Sequence, residues 1–138
     1  MNQVFDNYVC AGEYIERELD GFKFRATLAY DDVTTPMDYD EAGCCFDTSD
    51  PEYGEENREI IASWKRDEWF YVGIVVSVEY NGVLLDDHIH SVWGYEVNFP
   101  NGDNSYLTEE ATRLMEEALD DARKAREEMI ARLIGKAA

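Results

Sequence analysis

Positive charge is scarce in this chain: 12 Lys and Arg stand against 31 Asp and Glu over 138 residues, for a formal net charge of −19. Nucleic acid and anionic lipid carry the same sign as the protein, so neither fits as a direct partner. Long apolar runs are missing as well. No stretch approaches the ~20 apolar residues of a membrane span, and Met1-Asn2-Gln3-Val4-Phe5-Asp6 has neither the basic nor the apolar region of an export signal. Cysteine is limited to Cys10, Cys44 and Cys45, an odd count without C-x-x-C spacing, and adjacent cysteines close on each other only under strain. The expectation is free thiols in a reducing compartment and a soluble, cytoplasmic protein. G-x-G-x-x-G, Walker and G-x-S-x-G motifs are also absent. We therefore expect a protein that is not an enzyme, with no catalytic residue and no cofactor.

Apolar material is ample. Hydrophobic residues make up 45% of the chain and aromatics 13%, enough for a real interior in one domain spanning 1–138. Two hairpins are legible. Asp20-Gly21 is a type I′ turn signal between alternating stretches at 13–19 and 22–30, and it pairs Leu19 with Phe22, Arg17 with Phe24 and Ile15 with Ala26. Asn81-Gly82 is the second such signal. It follows the strongest strand, 69–80, and sets Tyr80 opposite Val83 and Val78 opposite Leu85. Continued without interruption, it pairs Ile89 with Ile74, Ser91 with Val72 and Trp93 with Phe70. That register turns Asp87 toward the core, so a bulge or break is expected near Asp86-Asp87. A short helix over 55–68 is expected to precede the central strand. A long helix over 106–134, capped by Ser105 or Thr108, carries Leu107, Ala111, Leu114, Ala118, Ala122 and Ala125 on one face. The fold class is α+β: a mainly antiparallel sheet of about four strands backed by the C-terminal helix. The small alanines suit close approach to the sheet or to a second copy, a possible homodimer.

The most uneven feature is charge. Residues 31–59 hold eleven acids against one base, Arg58, so ten of the nineteen excess negative charges fall there. Pro36, Gly43, Pro51 and Gly54 break up any long regular element, and we read 31–54 as an acidic surface loop. Its carboxylates, with those that follow, form the candidate partner-binding set: Asp38, Asp40, Glu41, Asp47, Asp50, Glu52, Glu55 and Glu56. Carboxylates two apart on an extended chain lie about 6–7 Å from each other, near the spacing of successive phosphates, and the pairs Asp38/Asp40 and Asp50/Glu52 have that separation in sequence. Nineteen charges at about one per 1.7 Å correspond to roughly one turn of duplex. The alternative is an acidic surface kept for solubility or for a salty cytoplasm.

Other constellations are weaker. His88 and His90, two apart on a strand and near Asp86, Asp87 and Glu96, have a spacing that suits a metal, and equally suits a solvated strand edge. They define the rival reading of a metal-dependent enzyme. Asp38 to Gly43 begins like a calcium loop, but Ala42 stands at the fifth position and Ser49 at the twelfth, where ligands are required. The acidic surroundings of Cys44 and Cys45 disfavour a reactive thiolate. Trp64, Trp69, Phe70, Tyr71, Trp93 and Tyr95 lack the bases that a nucleotide-stacking platform needs, so they read as core.

The stretch from Trp69 to Val76, then Ser91-Val92-Trp93-Gly94-Tyr95-Glu96-Val97 and Ser105-Tyr106-Leu107, resembles small uncharacterised proteins of tailed phages and prophages over about the last half of the chain. That family brings no assigned activity. The resemblance implies a phage or mobile-element setting in a host cell, where small acidic proteins include anti-CRISPR and anti-restriction inhibitors. With the charge pattern, it leads to the expectation of a DNA mimic that blocks a basic nucleic-acid-binding protein of the host. A phage scaffold, assembly or regulatory protein acting through its helix and aromatic face is the alternative.

Overall fold

The computed structural model describes residues 3–40, 43–44 and 46–135. Strands β1 (Tyr14–Leu19), β2 (Phe22–Tyr30), β5 (Phe70–Tyr80) and β6 (Val83–Val97) form one antiparallel sheet in the order β1-β2-β5-β6. A two-residue ladder of β3 (Tyr39–Asp40) and β4 (Gly43–Cys44) lies within the acidic segment. Helices α1 (Gly54–Lys65), α2 (Ser105–Glu117) and α3 (Leu119–Leu133) complete the α+β fold. None of the described helices is long and apolar enough to cross a membrane.

Both hairpin turns place an Asx-Gly pair at positive φ, Asp20 at 53° and Gly21 at 82°, Asn81 at 51° and Gly82 at 78°. The β1–β2 register matches the expected pairing from Leu19↔Phe22 to Ile15↔Ala26. Phe22, Phe24, Ala26 and Leu28 then join Val72, Ile74, Val76 and Val78 of β5 in the core beneath Leu107, Ala111, Leu114 and Met115 of α2. Arg126 of α3 closes one end of this core, its guanidinium carbon 4.9 Å from the ring centres of both Phe22 and Tyr80.

The second hairpin departs from the uninterrupted register. Tyr80↔Val83 holds, but β6 takes up four surplus residues through irregularities, so that Ile74 meets Val92, Val72 meets Tyr95 and Phe70 meets Val97. A one-residue irregularity at Leu85 comes first and sets Asp86 opposite Val78; a larger one follows between the Asp86 and His90 pairings, in the region where a break was expected, and the strand continues through it. Another falls at Gly94, whose φ of 88° suits only glycine, and it lays the Trp93 indole flat over Gly73.

The expected long helix is interrupted at Ala118. The bend lets α2 pack across β1, β2 and β5 while α3 follows β6. Ala111, Ala118 and Ala122 are buried against the chain's own sheet, so the alanine face is not available to a partner. Neither Ser105 nor Thr108 caps α2. Asn104 holds the N-cap position, Asp103 Oδ1 accepts from the Ser105 amide and hydroxyl, and Thr108 Oγ1 accepts from the Phe5 amide.

Asp31, only 6% exposed, ties the start of the acidic segment to the sheet. Its carboxylate accepts from the Val33 and Thr34 amides at 3.0 Å and the Thr34 hydroxyl at 2.7 Å, and the Gly94 amide also bonds it. Burial alone would raise its pKa, but these donors outweigh burial and hold it below the ordinary 3.8. A depressed carboxyl pKa stabilises the fold above its unfolded value, and that contribution disappears as pH falls through the folded value. Asp31→Asn is therefore expected to lose about 1–3 kcal/mol at pH 6. The gap from wild type should narrow below the ordinary 3.8, as read from thermal midpoints between pH 6 and pH 2.5.

Candidate acidic interface

The segment leading into α1 is held by its own aspartates. Asp47 Oδ1 accepts from the Ser49 amide at 2.8 Å and hydroxyl at 2.6 Å, and Asp50 Oδ1 accepts from the Glu52 and Tyr53 amides at 2.8 Å. The Ser49 hydroxyl, then its amide, holds the Asp47 carboxyl below the usual range. Asn57 and Arg58 of α1 reach back to the carbonyls of Asp47 and Thr48 at 2.8 Å. The turn is thereby organised before any partner arrives.

That organisation divides the candidate residues. Asp38 turns onto the Thr35 amide and hydroxyl, and Asp47 and Asp50 onto their own turns, so these three carboxylates serve the loop. Asp50 and Glu52 lie on a turn, not on the extended segment from which their phosphate-like spacing was argued. Glu52, Glu55 and Glu56 are exposed and pair with no described base. The backbone of Asp40 belongs to β3, while Glu41 lies outside the described residues, as does Ala42 of the calcium-like run.

The contrast with the rest of the molecule is in the neutralisation. On α2, Arg113 bridges Glu110 at 2.5 Å and Glu117 at 2.7 Å; at the sheet, Glu16 meets Lys23 and Arg25; on α3, Arg123 meets Asp20 and Asp120. Past the first turn of α1, Arg66 takes Glu59 and Glu68. Beside them, Glu56, Glu59 and Glu68 rim a concavity of about 280 Å³ floored by Ile60, Phe99 and Pro100. No local pattern links Phe99 to α1. The connection is Trp69, which is fully buried, donates its indole N–H to the Ile60 carbonyl and the Ser63 hydroxyl at 3.0 Å, and packs against Phe99 at 4.9 Å between ring centres.

His88 and His90 are separated by the irregularity in β6. His88 Nε2 meets Ser91 Oγ at 2.9 Å on the open face of the sheet, where Ser91 also accepts from the Trp93 indole. His90 sits opposite buried Val76 on the helix face, with Nε2 3.5 Å from Glu117. Two residues apart on an uninterrupted strand the two rings would share a face, as the metal reading requires; surplus residues between the Asp86 and His90 pairings disrupt that alternation and part them. Among the described residues, no three His, Cys, Asp or Glu side chains gather as a metal shell. Tyr95 donates to Glu110 at 3.0 Å on that helix face, and burial, reinforced by Glu110, pushes its pKa up to about 12. Of the cysteines, Cys10 is an exposed free thiol.

The chain matches no family model, no curated protein and no solved structure.

Proposed function

We propose that the chain is an acidic binding protein that occupies the basic nucleic-acid groove of another protein, its carboxylates standing where phosphates would lie. The target class is a host defence complex of the kind met by anti-CRISPR and anti-restriction inhibitors. The observation that supports this reading is the inequality of neutralisation. Glu52, Glu55 and Glu56 project from or just beyond a turn already braced by Asp47 and Asp50, and none has a described base against it, whereas on α2 and α3 half of the acids (Glu110, Glu117, Asp120 and Glu127) are bridged by neighbouring arginines. A cationic groove gains most from charges that are fixed in place and not yet compensated.

The experiment is capture from a bacterial lysate followed by competition. A nuclease or surveillance complex should be retained, then released by moderate salt and by duplex DNA. Glu52→Gln, Glu55→Gln and Glu56→Gln combined should weaken that complex at least about tenfold, while the thermal midpoint falls only by the small loss of charge at the first turn of α1, since none of the three side chains makes a described hydrogen bond or ion pair. Undiminished binding by the triple variant would remove this segment as the contact.

A further inference from the structure

A second surface stands at the other end of the molecule. Val83, Ile130 and Leu133 are three of the large apolar residues left exposed, and they cluster where the β5–β6 turn meets the last turns of α3. Between turn and helix runs a groove of about 250 Å³ with Tyr80, Leu85 and Met129 in its lining. Leu133 forms part of its rim and is 76% exposed. Monomeric proteins seldom leave such a patch open.

Charge narrows what covers it. Residues 19–23, 79–85 and 123–134 form this pole and hold five bases (Lys23, Arg123, Lys124, Arg126, Arg132) against four acids (Asp20, Glu79, Glu127, Glu128). Counting Asp120 and Glu16, which bridge Arg123 and Lys23 from just outside those ranges, the pole is −1, close to neutral in a chain of −19. A basic partner is drawn to the rest of the surface, and an anionic one is repelled by the whole. Two copies of this chain can approach with little repulsion only through such a pole. The acidic turn and α1 lie at the opposite end of β5, whose eleven residues span about 33 Å, so a contact here keeps the two acidic ends outermost. The patch also carries both a projection and a groove, the self-complementary combination that a two-fold contact requires.

We propose that two copies of the chain associate about a two-fold axis through α3 and the β5–β6 turn, Leu133 of each entering the groove of the other. Sedimentation equilibrium of the full chain at tens of micromolar should give about twice the 15.9 kDa chain mass. Leu133→Glu and Val83→Glu should each weaken association at least about tenfold, whereas Tyr14→Glu, at a position about as exposed as Val83 but on the far edge strand, should leave it unchanged. Leu133 and Val83 are exposed in the single chain, so matched thermal midpoints at low concentration show that the fold is intact. A monomeric wild type at 100 micromolar (about five times the working concentration), or a dimer indifferent to both substitutions, would overturn the proposal.

Discussion

Trp69→Ala should destabilise the protein by about 3–5 kcal/mol, the range for emptying a large aromatic site in a packed interior. The indole is fully buried among Phe46, Tyr71 and Phe99, with ring centres 6.1, 5.2 and 4.9 Å away, and its N–H is the polar link to α1 through Ile60 and Ser63. Urea unfolding followed by circular dichroism measures the loss. Trp69→Phe separates the two contributions: it keeps most of the apolar volume, removes the donor, and should cost about 1–2 kcal/mol. Because α1 carries Glu55 and Glu56, either variant should also weaken partner binding by loosening the surface that presents them. An Ala variant as stable as wild type would mean that α1 is held by something other than this ring.

The second large effect is expected at Asn104, which is 1% exposed. Its side-chain amide donates to the Asn7 carbonyl at 2.7 Å and to Asn98 Oδ1 at 2.9 Å, and its carbonyl accepts from the Asn98 amide at 2.9 Å. Asn98, at φ 59°, completes the clasp by donating to the Val9 carbonyl and accepting from the Val9 amide. Asn104→Ala removes three hydrogen bonds and leaves buried partners without replacements, for a cost of about 3 kcal/mol. Hydrogen exchange at the Val9 amide should accelerate more than exchange at the centre of β5. Equal acceleration at both sites would show that the clasp and the sheet open only together.

These two sites differ in how visible they were beforehand. Asp-Gly and Asn-Gly announced both hairpins, and because β1 and β2 are regular, every pair back to Ile15↔Ala26 could be counted from the turn. Counting failed along β6, where each irregularity moves the phase. Asp87 warned on energetic grounds of a break in its neighbourhood, but nothing local marks the earlier shift at Leu85 or how many residues are absorbed in all. The excess of acid was plain; the direction of each carboxylate was not. Asp47-x-Ser49 and Asp50-x-Glu52 are spacings at which an aspartate bonds the backbone two residues on, so the turn-holding part of both residues' role was there to be read in the sequence. The asparagine clasp joins groups about ninety positions apart, and in the sequence its residues read only as loop formers.

That clasp governs the order in which the protein is completed. The strap at residues 5–9 finds its polar partners at Asn98, Asn104 and Thr108, so it must wait until a segment about ninety to a hundred positions further along has emerged. Closing so distant a contact carries a loop-entropy cost that the two hairpins do not share. On the ribosome, the strap therefore joins a largely assembled sheet as a latecomer, and until it does, Val9 and Phe5 remain open to chaperones and proteases.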